Sequence, residues 1–238
     1  MQARIICREG WELVAFGTNL LLRERRHRLA GRAAVRSGIL ALSVRTLDQR
    51  LIAAVGRHPS VRSVKLVGSR AESRATAHSD WDFLIDTDDF GAVAADLPAV
   101  CAPLDPIAQQ WDRLSSCYCW MLMLRGPVKI DLIFADQPHR HEPPWEPERR
   151  NPAAIDRHFW DWMLWLASKE AAGKEDLLAS ELEKLFHHLL APLGVRRTPA
   201  SVLEAVAAYR DARAQAEERF NWRVPRDLET EIASALNV

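Results

Sequence analysis

Short apolar runs of strand length occupy residues 61–67, 81–85, 118–124 and 128–134, whereas beyond residue 153 apolar side chains recur only at helical spacing. Runs of four to eight residues bounded by Gly, Pro or Asp suit strands, and an i, i+3, i+4 pattern suits helices. Five prolines crowd into residues 137–152, between the two regimes. This change of period restricts the chain to an α+β class: a mixed sheet with helices over residues 41–136, a Pro-rich linker over 137–152, and a C-terminal helical bundle domain over 153–238.

Within the first part, Val44, Leu47, Leu51, Ile52 and Val55 mark an amphipathic helix over 45–57, ended by His58-Pro59-Ser60. Residues 61–67 then read as a buried strand that stops at Gly68-Ser69. A short helix is expected over 89–97, before Pro98. Residues 118–124 and 128–134, joined by Arg125-Gly126-Pro127, read as a hairpin. In the second part four helices are expected, with Thr198 and Pro199 opening the third at its cap and first turn.

Net charge is zero across 238 residues, so nothing global calls for a nucleic-acid or acidic-membrane partner. The arginines are uneven, however, and crowd the first sixty residues, including Arg23, Arg25, Arg26 and Arg28. Residues 1–40 are a basic arm, read as a solvated or disordered lead-in rather than a nucleic-acid contact, because no aromatic residues interleave the arginines. No apolar stretch approaches the roughly 18 residues of a membrane span, and the four cysteines lack paired metal-site spacing. A cytoplasmic setting is expected. Cys117 and Cys119 share a strand face and are read as core, and His187-His188 point apart on a helix.

The chemistry is concentrated in two segments. Val64-Lys65-Leu66-Val67-Gly68-Ser69-Arg70 brings a strand to a Gly-Ser turn, where the missing Cβ of Gly68 lets phosphate oxygens approach the backbone. Ser69 adds a hydroxyl, and Arg70 to Ser73 is expected to open a helix whose N-terminus favours anions. Asp80 and Asp82 lie two apart on the next strand, so both carboxylates project from one face while Trp81 and Phe83 face the core. Two carboxylates forced together repel unless a cation neutralises them, and Mg2+ suits few carboxylates plus phosphate and water. Asp131 interrupts an otherwise apolar strand, where an unpaired buried charge would cost several kcal/mol. If its strand neighbours that of Asp80 and Asp82, three carboxylates meet on one face.

The segment Leu66-Val67-Gly68-Ser69-Arg70-Ala71 followed by Ser79-Asp80-Trp81-Asp82-Phe83 resembles the signature of the DNA-polymerase-β-like nucleotidyltransferase superfamily, and within it the aminoglycoside and lincosamide nucleotidyltransferases. Lys129-Ile130-Asp131-Leu132-Ile133 is similar to their third-carboxylate strand. The resemblance spans about residues 45–236, with specific motifs only over 64–134. It departs at Ser73-Arg74, where many relatives carry a glycine, and residues 1–40 match nothing in the pattern.

The resemblance implies a nucleotidyltransferase-type sheet and an ATP (or other nucleoside triphosphate) held as its Mg2+ complex. Gly68, Ser69 and Arg70 would meet the phosphates, with Asp80, Asp82 and Asp131 at the metal. Asp131 is either a ligand or the base for the acceptor hydroxyl. The acceptor is expected to be small and hydroxylated, an aminoglycoside or lincosamide antibiotic. The acids Glu170, Glu175, Asp176, Glu181 and Glu183 and the tryptophans at 160, 162 and 165 are candidates to meet it, though most read as helix face and core. Transfer to a protein or tRNA, and a non-catalytic nucleotide-binding regulator, are the alternatives; retention of all three aspartates speaks against the last. Oligomeric state is open.

Overall fold

A computed structural model describes residues 46–75, 79–126 and 128–236 of the chain. The basic arm expected over 1–40 lies outside the described residues.

The chain forms an α+β fold around one mixed five-stranded sheet. Helix α1 (Leu47–Val55) leads into β1 (Val61–Val67), a single helical turn α2 (Gly68–Ala71), β2 (Trp81–Thr87) and α3 (Phe90–Cys101). Strands β3 (Ala108–Trp111), β4 (Cys117–Leu124) and β5 (Val128–Pro138) complete the sheet. Helices α4 (Pro152–Ala171), α5 (Glu175–Leu185), α6 (Val202–Phe220) and α7 (Asp227–Leu236) follow. Strand order is β1-β2-β5-β4-β3, and only the β2–β5 pair is parallel. Among the described residues no helix is long and apolar enough to cross a membrane.

Period-2 alternation gives each sheet face its own role. Phe83 and Ile85 of β2, Leu122 and Leu124 of β4, and Ile130, Leu132 and Phe134 of β5 pack against Leu51 and Val55 of α1 and Val93 and Leu97 of α3. The intervening residues, Asp82, Met121, Met123, Lys129 and Asp131, face the other way, toward α4. A second core gathers α4, α5, α6 and α7 around Phe159, Trp160, Trp162, Leu182, Val206 and Ile232, with Met123 of the sheet joined to it. Helix α4 is buried on nearly all sides between Ile155 and Leu166 because it lies between these helices and the sheet.

Several elements depart from the sequence expectation. Strand β1 is an edge strand with Arg62, Ser63 and Lys65 exposed, since it pairs only with β2. Helix α3 runs through Pro98 instead of stopping before it. Burial of Val93, Leu97 and Cys101 at i, i+4 and i+8 outweighs a proline that costs about 3 kcal/mol in a helix interior. The cap of α6 is Ser201, whose hydroxyl accepts from Glu204 N at 3.1 Å, and Pro199 lies outside the helix. Strand β5 extends past residue 136 to Pro138. The segment beyond it is anchored: Trp145 N donates to His188 O at 2.8 Å, and Trp145 Nε1 donates to His158 Nδ1 at 2.9 Å. His139 sits half-buried against Tyr118, with its backbone N donating to Ser116 O. Cys101, Cys117 and Cys119 are buried as thiols in the core.

Candidate active site

The sheet register brings the expected carboxylates together. In the parallel β2–β5 pair Asp82 stands opposite Asp131, so their side chains leave the same face on strands about 4.8 Å apart. Asp80 directly precedes β2, on the same side as Asp82.

Gly68 adopts φ +71, the left-handed region that glycine enters without a Cβ penalty. A Cβ built there would collide with the Asp82 carboxylate oxygen. Its first duty is thus to let β1 turn sharply beside Asp82. The helix expected to open at Arg70 instead begins at Gly68 and makes one turn. Ser69 lies half-buried within it, its carbonyl accepting from Arg74 N at 2.8 Å. Ser73 takes φ +56, a conformation that glycine holds most easily.

Arg70 has a role that the sequence did not reveal. Its Nε donates to Ser79 O and Asp80 O, both at 3.1 Å, and its Nη2 donates to Ser79 O at 2.6 Å. The guanidinium lies 4.2 Å over the Trp81 ring. Arg70 therefore clamps the backbone that carries Asp80 and covers the half-buried Trp81.

Burial sets the electrostatics of the pair. It pushes the Asp82 carboxyl up to about 7, helped by the charges of Asp131 and Asp80 and opposed by Lys129 and Lys169. It pushes Asp80 up to about 6, with Lys129 opposing, Asp131 and Asp161 adding and Lys169 opposing. Each group ionises reluctantly, as a carboxylate does when it lacks water and sits among like charges.

Sequence reasoning passed over three further members. Lys129, two residues before Asp131 on β5, shares its face and bonds Asp131 Oδ1. The same ammonium stands 3.0 Å from Asp161 Oδ1 of α4, with both side chains almost wholly buried. Lys169 acts on Asp80 and Asp82, and its ammonium lies 4.7 Å over the Trp165 ring. Asp161, Trp165 and Lys169 are four apart and form one stripe of α4. The signal was present in the i, i+2 spacing of Lys129 and Asp131, the same spacing that paired Asp80 with Asp82. Of the acids considered for an acceptor, Glu181 is buried and occupied by Trp162 Nε1 at 3.2 Å and Lys184 Nζ at 2.8 Å. Trp160, Trp162 and Trp165 belong to the core.

Oxygen donors in a desolvated pair fit Mg2+, which takes one or two protein carboxylates and completes its shell with water and phosphate. Among the described residues no three His, Cys, Asp or Glu side chains are placed to hold one metal ion together. The three aspartates share a face without closing into a cage.

No protein-family model matches the chain, and no curated protein matches it. The solved structure of an aminoglycoside 6-adenyltransferase from Bacillus subtilis is 11% identical, with a TM-score of 0.28 over 82% of this chain and 98% of that one. So slight a likeness decides nothing about the site.

Proposed function

We propose that the chain is a Mg2+-dependent nucleotidyltransferase that moves a nucleoside monophosphate, AMP from ATP, to a hydroxyl of a small acceptor. The observation that carries this reading is the meeting of Gly68 with Asp80 and Asp82. Two half-buried carboxylates leave one face, Asp82 against a left-handed glycine, and burial keeps both above their ordinary range. Such a pair is costly to ionise without a cation, and a triphosphate bound as its metal complex supplies one.

In this reading Asp80 and Asp82 would hold the metal ion, which would supply positive charge against the phosphates. Gly68 and Ser69 border the β and γ phosphates. The acceptor oxygen attacks the α-phosphorus in line, the bond from that phosphorus to the α,β-bridging oxygen breaks, and pyrophosphate leaves. Asp131 lies beside Asp82 and takes the proton of the acceptor hydroxyl. Arg70 positions Asp80 through the Ser79–Asp80 carbonyls.

Helices α4–α7 form the acceptor side, as the C-terminal domain in this scheme. Exposed Glu170, Glu175, Asp176 and Glu183 provide negative charge suited to a polycationic aminoglycoside. Incubation with ATP, Mg2+ and a panel of aminoglycosides and lincosamides should release pyrophosphate. Asp82→Ala should lower that turnover at least about a thousandfold, as loss of a metal-held transition-state contact does. Undiminished turnover in Asp82→Ala would sink the assignment.

A further inference from the structure

Lys129 is a lysine where a lysine is expensive. It is 3% exposed, on a central strand, and Asp161, its partner on α4, is equally buried. A buried ammonium persists only when geometry and pairing are good, and this one is bound by carboxylates from two elements, Asp131 on β5 and Asp161 on α4. The pairing orients Asp131: its Oδ1 is bonded by Lys129 and the side chain is 14% exposed.

The place of this charge is the informative part. Asp131 stands opposite Asp82, and Lys129 is the next residue of β5 on the same face. The ammonium already bonds Asp131, the carboxylate that a second divalent ion beside Asp82 would need. No three carboxylates converge on one point among the described residues, consistent with Asp131 serving Lys129.

We propose that the Lys129 ammonium, pinned between Asp131 and Asp161, is the built-in second cation of the site, so that the chain loads a single divalent ion, at Asp80 and Asp82. This rests on the nucleotidyltransferase reading above and deepens it. Lys129 is then a positioning residue: it fixes Asp131 and couples the sheet to α4 through Asp161. It also explains why α4 carries an aspartate between Trp160 and Trp162, in an otherwise apolar stretch.

The test is a count of ions. Mn2+ is titrated into the full chain in the presence of α,β-methylene-ATP and followed by electron paramagnetic resonance, which reads bound ions without turnover. One Mn2+ per chain is expected, and two would overturn the proposal while leaving the nucleotidyltransferase reading intact. The double substitution Lys129→Met with Asp161→Asn removes the ammonium together with its α4 counter-charge, so it leaves fewer buried charges unpaired than Lys129→Met alone. In that variant, if folded by circular dichroism, the count should rise from one to two as Asp131 is released. A folded variant that still binds one ion overturns the proposal, and if the variant does not fold the wild-type count decides. Absence of any Mn2+-dependent binding of the analogue would remove the nucleotidyltransferase reading and this inference with it.

Discussion

Helix α4 carries two buried aspartates that meet opposite fates. Asp156 and Asp161 are five residues apart, about 140° around a helix of 3.6 residues per turn, so they leave opposite sides of α4. Asp156 faces α6 and α7, where Tyr209 OH donates to it at 2.7 Å and Arg213 Nη1 at 3.0 Å. Arg213 also reaches Glu229 of α7, which Arg210 Nε binds at 2.8 Å. Each carboxylate of this network has a guanidinium partner. Burial works to raise Glu229, yet the hydrogen bonds from Arg210 and Arg213 hold it below its ordinary range. Asp161 faces the sheet and joins a cluster whose carboxylates outnumber its ammoniums. The first network is a rivet between helices, and the second, in the reading proposed above, is where a cation would bind.

Breaking the rivet should have the largest effect. Arg213→Met strands Asp156 and Glu229 without their shared partner and should cost about 3–5 kcal/mol, as loss of one member of a buried ion pair does. Thermal denaturation should then show Tm falling by roughly 10 °C. A loss under about 1 kcal/mol would mean that the Asp156 network is as dispensable as a surface pair, and the contrast would collapse. Gly68→Ala probes the other cluster and should act on chemistry more than on folding. It forces a Cβ into φ +71 and against Asp82, costing about 1–3 kcal/mol of strain. Displacing Asp82 by a fraction of an ångström should lower turnover about a hundredfold. Full turnover in a folded Gly68→Ala chain would show that Asp82 need not stand where Gly68 leaves room for it.

The sequence revealed the open cluster better than the rivet, for physical reasons. Asp80, Asp82 and Asp131 were legible because alternation assigns faces locally, and a charge in an apolar strand needs an explanation wherever the strand goes. The hairpin over β4 and β5 was legible from its Gly126 turn. Asp161 was hidden because its partner Lys129 is brought to it by the packing of α4 on the sheet, which no local period encodes. The clamp made by Arg70 was hidden for a related reason: its acceptors are carbonyls nine and ten residues away, set by the path of the loop. Strand β3 went unread because Ala108-Gln109-Gln110-Trp111 has no strand pattern of its own and is held by pairing with β4. Helix α3 passed through Pro98 because its buried stripe continued past it.

The smallest expected effect separates the two clusters by the sign of a slope. Asp80 and Asp82 go from 3.8 to about 6 and about 7 on folding. A carboxyl raised on folding holds its proton longer in the native state, so its contribution is fully present below pH 3.8 and is lost as pH rises through the folded value. With metal removed by chelator, stability should therefore decline between about pH 4 and pH 7. In the Asp156–Glu229 network the directions oppose one another, Asp156 raised by burial and Glu229 lowered by its arginines, so its own dependence partly cancels. The decline should then belong mainly to the open cluster. Asp82→Asn, which keeps the shape and removes the charge, should flatten it and leave the metal-free chain about 1 kcal/mol more stable at pH 8. Excess Mg2+ should raise Tm at pH 8 in the wild type through preferential binding to the folded state, and should raise it much less in Asp82→Asn. Denaturation midpoints across pH, with and without chelator, read all of these at once. An undiminished slope in Asp82→Asn would place the surplus charge somewhere other than the face shared by β2, β5 and α4.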